Sequence, residues 1–271
     1  MTPRILPTPQ FASLIYGQRG VPLDDPAETF HEASRLYPSM APERLDVLHE
    51  LEQGGELARA TARASRTHDH RPGIALPRAA PLRGRLGDLL ARRRSARGEV
   101  ERPLLLTELA AVLDASYASE PRTGGEFRRP VPSAGALYPL EVYVVAASVR
   151  GLEPGLYHLQ PFRRRLCLLA PPDGAAVRRA LVDPAVADVA AAFLFVTGVF
   201  SRSRFKYGQR GYRFTLLEAG HLVQAAVLAA TDLDLPALPI GGFYDRRLDA
   251  LLGADGLDEA SLYALALGGA L

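Results

Sequence analysis

Residues 132–145, PSAGALYPLEVYVV, decide the fold. Pro132, Ser133, Ala134 and Gly135 form a stretch of small residues whose backbone a flat ligand can approach, because no bulky side chain stands in the way. The chain then enters 140–148, LEVYVVAAS, a β-branched and continuously apolar run of the kind that is covered on both faces of a sheet. Residues 192–199 read as a second buried strand, 155–159 and 165–169 as a pair around the Gln160-Pro161 turn, and 262–267 as a last strand. Helices are predicted over 87–96, over 104–117 with Thr107 as N-cap, over 174–181, and over 213–231, the longest. In that last helix Leu216, Ala219, Gly220, Val223, Ala226, Val227 and Ala230 recur at spacings of three and four, and their small size suits close packing against another helix. Helices and strands mix without a regular βαβ alternation, which favours an α+β layer fold over a doubly wound one.

Ahead of this core, 1–81 reads as an arm with helical spacing over 26–36 and 42–64 and a Pro/Gly/Arg-rich connector over 67–81, so the main domain is expected over 82–271. The whole chain has 271 residues, 48% hydrophobic and 23% charged, which matches a globular protein that needs no disulfide framework. One cysteine, Cys167, and no Cys/His cluster at zinc spacing leave no metal site in the reading, and His68-Asp69-His70 is taken as a solvated loop. The net charge of +2 does not call for nucleic acid. No apolar run approaches the ~18–20 residues of a membrane span, and no secretion signal is read at the N-terminus, so the expected compartment is the cytoplasm.

Three segments carry chemistry. Arg93, Arg94, Ser95 and Arg97 place guanidinium forks and a hydroxyl at the end of a short helix, a donor set suited to a phosphate monoester. The 132–135 loop is the second, and Ile240, Gly241 and Gly242 in LPIGGF form the third, with two glycines able to present N–H groups to a planar acceptor. No GxGxxG follows the first good strand, and GxxxxGK[ST] and GxSxG are absent, so dinucleotide, P-loop and serine-hydrolase readings lack their carriers. Two small-residue loops with an anion anchor point to FMN rather than NAD. Of 32 basic residues 31 are arginine, and the single lysine, Lys206, can exchange its proton where arginine cannot.

These segments together resemble the nitroreductase-like flavoproteins, and most of all the SagB/McbC-type thiazole/oxazole dehydrogenases that act on azolines in ribosomal peptide natural products. The resemblance rests on PSAGALYPLEVYVV (132–145), GLYHL (155–159), KYGQRGYRFTLLEAGHLVQ (206–224), PIGGFYD (239–245) and, in the arm, ETFHEASRL (28–36). It implies a nitroreductase-like α+β fold with a central mixed or antiparallel sheet packed by helices, and a homodimer with each flavin at the subunit interface. It places Arg93, Arg94, Ser95 and Arg97 on the FMN phosphate and pyrimidine edge, Ser133, Ala134 and Gly135 against the isoalloxazine, and Gly241 and Gly242 near flavin N5. Lys206 and Tyr207 match that family's catalytic pair. Some nitroreductases supply basic groups beyond the last strand; no basic residue follows Gly268 and Gly269 in 1–271, so the phosphate is expected to rely more on Arg93, Arg94 and Arg97.

The implied reaction removes a hydride and a proton from a thiazoline or oxazoline in a precursor peptide, with Tyr207 or Lys206 as base, flavin N5 as hydride acceptor and oxygen as reoxidant. An ammonium beside a phenol favours the phenolate, which suits the pair to this work. The peptide would be prepared by a cyclodehydratase, with which the enzyme is able to form a complex. Competing readings are an NAD(P)H-fed nitroreductase or quinone reductase, an oxidase of carrier-bound azolines in a nonribosomal pathway, and a flavin-binding scaffold. Glu218, His221 and Gln224, at spacing three, read as a buried polar network at a subunit interface.

Overall fold

The computed structural model describes residues 26–33, 65–95, 103–118, 120–121 and 127–269. The chain divides into two units, Met1–Glu43 and Arg44–Leu271. In the first, one helix is described, α1 (Pro26–Ala33), within the expected 26–36, of which 34–36 lie outside the described residues. The helix predicted over 42–64 lies outside the described residues.

The second unit is built on a seven-stranded sheet. Its strands are β1 (Gly73–Ala75), β2 (Leu140–Ala146), β3 (Gly155–Gln160), β4 (Arg165–Ala170), β5 (Ala192–Val199), β6 (Ala237–Ile240) and β7 (Glu259–Leu267), in the spatial order β1-β4-β3-β2-β5-β7-β6. Every pairing is antiparallel. The central register sets Leu140 opposite Gly198 and Ala146 opposite Ala192. β1 corrects one expectation: residues 73–75, read as part of the connector, pair with Cys167, Leu166 and Arg165 as an edge strand. A three-residue strand of Gly, Ile and Ala is too short for an alternating pattern to reveal it.

All residues of β2, β3 and β5 are buried, because helices cover both faces of the sheet. Successive side chains alternate between two cores. Leu140, Val142 and Val144 join Leu194, Val196 and Leu265 beneath α3 (Leu106–Ser116) and α7 (Gln209–Asp232). Tyr143 and Val145 join Phe193 and Phe195 beneath α4 (Gly174–Ala180) and α8 (Asp245–Leu252). The remaining described helices are α2 (Leu86–Arg92), α5 (Val186–Val189) and α6 (Ser201–Tyr207). α7 has the length and apolar composition of a membrane span, although only half of that window is buried, and here it serves as the core helix of the sheet.

Two boundaries differ from the sequence reading for local reasons. α3 begins at Leu106 rather than with Thr107 as its cap; the Glu108 carboxylate accepts the Leu105 N–H at 3.0 Å, so an acidic third residue does the capping. α2 ends at Arg92 and not at 96, with the Arg93 N–H donating to Leu89 O, which leaves Arg93, Arg94 and Ser95 in a non-helical exit.

Candidate active site

The loop into β2 is wound unusually tightly. Gly135, Ala136 and Tyr138 have φ of 62°, 54° and 46°. The left-handed region costs a residue with a side chain ~1–2 kcal/mol, so Ala136 and Tyr138 must be held there. The Ala136 N–H donates to Ser133 O at 3.0 Å, the Tyr138 N–H to Ser133 Oγ at 2.9 Å, and the Arg129 N–H to Tyr138 Oη at 3.2 Å. The buried Arg129 guanidinium lies 4.1 Å from the Tyr117 ring centroid and 4.6 Å from that of Tyr138, which fixes the loop to α3. Pro132 and Gly135 remain exposed, while Ser133 and Ala134 are half-buried.

α6 brings Lys206 and Tyr207 onto this loop. A Cβ at Gly135 would lie 2.6 Å from Tyr207 Oη and 3.2 Å from Lys206 Nζ, so both reactive atoms rest on the bare face of that glycine. Lys206 Nζ is 5.3 Å from the Tyr207 ring centroid, and the Tyr207 ring stands edge-on to Phe214 at 5.0 Å. Two contacts hold α6 in place. At Gly211 of α7 a Cβ would come within 2.7–2.8 Å of the backbone of Ser203 and Arg204, so the two helices meet backbone to backbone. Arg202 donates to Glu141 Oε1 at 2.5 Å, tying α6 to β2.

Glu141 is the centre of a second buried cluster. Its Oε2 lies 2.8 Å from His158 Nε2, and the Arg66 N–H donates to its Oε1 at 2.9 Å. Burial pushes this carboxyl up, but the His158 hydrogen bond and the Arg202 charge outweigh it and leave it at about 2. Beside it Glu259 accepts from Tyr143 Oη at 2.9 Å and from Thr197 Oγ1 at 2.6 Å, and pairs with Arg66. His68 is drawn in here rather than left in a solvated loop: its ring lies 4.9 Å from that of His158, while Asp69 pairs with Arg163 and His70 stays exposed.

Glu218, on α7, is buried behind the 133–135 loop. Tyr117 Oη donates to its Oε1 at 3.0 Å. Burial pushes its carboxyl up to about 7 against the pull of Ser133, Tyr117 and Arg129. His221 and Gln224 do not share its environment and are exposed. Each step of three on a helix turns 60° short of a full circle, and the boundary between the buried and open faces of α7 falls within that drift.

The segment expected to bind phosphate and the 240–242 glycine segment lie elsewhere. Arg92 donates to Asp234 Oδ1 at 2.8 Å and to Thr231 O at 3.4 Å, so 93–95 emerges at the C-terminal end of α7. Lys206 and Tyr207 precede its N-terminal end, and 24 residues of helix are ~36 Å long. Arg97 lies outside the described residues. Ile240 ends β6; after it Gly242 O accepts the Val182 N–H at 3.0 Å, and a Cβ at Gly241 would meet open space. Among the described residues nothing calls for a glycine at 241.

These features fit an FMN site in its parts. Exposed Arg94 and Ser95 and half-buried Arg93 offer phosphate donors, and the open space at Gly241 leaves room for a flat ring, while the bare face of Gly135 is taken by Tyr207 and Lys206. One chain does not bring all of them together: Glu218, behind the 133–135 loop, stands 14 residues, ~21 Å, along α7 from Asp232, at the end where 93–95 emerges. The sequence reading left out Tyr117, Arg129, Glu141, His158 and Arg202. The visible signal was a carboxylate in LEVYVV and a histidine in GLYHL, charges that a buried strand admits only with partners; Arg129 and Arg202 carry no signal among 31 arginines.

The sequence profile of the Nitroreductase family matches residues 90–269. The chain is 35% identical over 169 residues to MJ1384 of Methanocaldococcus jannaschii, named as a nitroreductase, covering 62% of this chain and 84% of that protein. It is 31% identical over 137 residues to the microcin B17-processing protein McbC of Escherichia coli, covering 48% of this chain and only half of McbC. Among solved structures, the E. coli microcin synthetase McbBCD complex with truncated pro-MccB17 bound contains a chain that superposes with a TM-score of 0.57 at 24% identity, covering 88% of this chain and 85% of that one. The chain belongs to the nitroreductase family of oxidoreductases, with McbC among its relatives.

Proposed function

We propose that the protein is an FMN-dependent azoline dehydrogenase that oxidises thiazolines or oxazolines in a precursor peptide to thiazoles or oxazoles. The observation that carries this reading is the packing of Lys206 and Tyr207, with the phenol oxygen and the ammonium together, on the bare backbone of Gly135. Kinship with McbC supports the peptide class of substrate. When bound, FMN supplies the two-electron acceptor. Overall, azoline and dioxygen give azole and hydrogen peroxide.

Arg93, Arg94, Ser95 and Arg97 hold the phosphate, the 132–135 loop and Ile240, Gly241 and Gly242 bound the ring, and Tyr207 takes the ring proton of the azoline with Lys206 beside it. Because α7 keeps 93–95 from the 133–135 loop within one chain, the site is completed by a second copy. Leu216 and Leu217, 39% and 54% exposed on the outer face of α7, with exposed Gly220, His221 and Gln224, offer that copy a surface. The site works on a peptide delivered by a cyclodehydratase complex, in the cytoplasm.

An NAD(P)H-fed reductase is the second reading, favoured by the match across 84% of MJ1384. The test is the mass of an azoline-containing peptide after aerobic incubation with the FMN-loaded protein. Loss of two hydrogens per ring with the wild type and none with Lys206→Ala supports the dehydrogenase; an unchanged peptide with the wild type refutes it.

A further inference from the structure

A cavity of about 530 Å³ opens between α4 and α8. Val145 of β2, Leu156 of β3, Val177 of α4 and Leu251 of α8 line it. All four belong to or pack against the core that holds Phe193 and Phe195, so these two short helices leave a gap over that apolar core. The volume is that of a ligand pocket, and its lining is apolar in the way such pockets are.

Cations dominate the rim. Asp173 lines the cavity too, but its carboxylate accepts the Ala176 N–H at 2.8 Å as the N-cap of α4. Arg179 comes from the last turn of α4 and Arg247 from the first turn of α8. Arg178, next to Arg179, pairs with Asp188, whereas the exposed Arg179 guanidinium has no partner among the described residues. Arg247 Nη1 donates to Arg179 O at 2.9 Å, which uses one of the five N–H groups of its guanidinium. An apolar cleft rimmed by two guanidinium forks is complementary to an apolar side chain that neighbours a carboxylate.

The same two helices are joined to the 240–242 segment. Leu181 and Phe243 face each other in an antiparallel bridge, the Val182 N–H donates to Gly242 O at 3.0 Å, and the Tyr244 N–H donates to Ala180 O at 2.8 Å. The Arg247 guanidinium lies 4.7 Å from the ring centroid of the exposed Tyr244. Gly242 and Arg247 are separated by so little chain that their Cα atoms lie within ~18 Å, a span that about five or six residues of extended peptide cover.

We propose that this cavity is a docking subsite for the precursor peptide, which seats an apolar side chain between α4 and α8 and an adjacent carboxylate on Arg179 and Arg247, while the azoline lies at the 240–242 segment. This rests on the azoline dehydrogenase reading above and adds to it a substrate class, a peptide with an acidic-apolar pair some five residues from the ring to be oxidised.

The test is binding of fluorescein-labelled peptides to the purified full chain with FMN added, read by anisotropy. Each peptide carries one thiazoline and, about five residues away, the pair Asp-Leu, Ser-Ser or Lys-Leu, placed N-terminal to the ring in one set and C-terminal in the other. In one of the sets Asp-Leu should bind at least about tenfold tighter than Ser-Ser, since a buried leucine alone supplies that much. Ala250→Trp, at an exposed position that lines the cavity, should fill it and remove the difference. Arg179→Glu should weaken Asp-Leu roughly three- to tenfold, leave Ser-Ser unchanged and favour Lys-Leu, and it decides the matter should Ala250→Trp not fold. Equal binding of all three peptides in both sets, or an Asp-Leu preference that survives both substitutions, overturns the proposal. So does a wild-type dimer that Ala250→Trp turns into a monomer in sedimentation, which would give the cavity to a second copy of the chain. Peptides oxidised in air without any preference for Asp-Leu leave the dehydrogenase reading intact; Asp-Leu peptides held in the cavity but not oxidised refute that reading and retain the docking site.

Discussion

Replacing Gly135 by alanine adds one methyl group at the point where the loop meets Lys206 and Tyr207, the proposed catalytic pair. Two costs follow from the geometry. The φ of 62° lies in the left-handed region, which costs an alanine ~1–2 kcal/mol. The new Cβ would stand 2.6 Å from Tyr207 Oη, and ordinary contact begins at 3.4 Å, so the phenol must retreat by about 0.8 Å. Tyr207 is the end of a mobile side chain and can move, so the second cost falls on catalysis rather than on folding. A chain of this size loses roughly 2–4 °C of Tm per kcal/mol, which puts the expected drop at ~2–8 °C. A displacement near 1 Å at a reacting group costs about a hundredfold, so azoline-dependent flavin reduction should slow by ~10- to 100-fold. Thermal unfolding and stopped-flow absorbance on one preparation measure both. A folded Gly135→Ala protein with the wild-type rate would refute the placement of Tyr207 on this loop as a catalytic contact.

Gly241→Ala makes the contrasting case, since its Cβ meets open space: Tm should change by less than ~0.5 kcal/mol in stability terms while FMN affinity falls, and unaltered affinity by fluorescence titration would remove Gly241 from the cradle. Gly211→Ala drives a methyl into the backbone of Ser203 and Arg204; moving α6 should lower both Tm and turnover, and a variant that loses neither would show that the crossing is not tight. The Glu141 carboxyl, at about 2 in the fold against 4.5 ordinarily, contributes stability that is fully present above about pH 4.5 and is lost as pH falls toward 2. The amount is on the order of 3 kcal/mol, so urea midpoints should fall across that window in the wild type, and Glu141→Gln should be weaker at neutral pH without the added acid loss; parallel profiles would contradict the pairing with His158 and Arg202.

The sheet was legible where burial is continuous. LEVYVVAAS and the run over 192–199 gave strands whose observed limits differ by two residues at most, because an unbroken β-branched stretch has few other uses. The edge strand β1 was not, since three residues held by pairing with β4 leave no period to read. The 133–135 loop and the Lys206-Tyr207 pair were both marked by residue type, small in one case and unique in the other, yet only the fold shows that they touch. The strain at Ala136 and Tyr138 is invisible in sequence, because either residue is ordinary until its φ is known. Glu218 was noticed by spacing and assigned with His221 and Gln224; a helical period separates faces but does not say where the buried one ends.

In the proposed reaction electrons enter this protein from a peptide azoline through a site organised by Lys206 and Tyr207. The most direct test is the visible spectrum of the FMN-loaded protein, recorded without oxygen, on addition of an azoline-containing peptide. The flavin band should bleach with the wild type, with azole peptide as product, and should persist with Lys206→Ala and with Tyr207→Phe. A band that persists in the wild type and bleaches only on addition of NAD(P)H would contradict the account and identify a reductase.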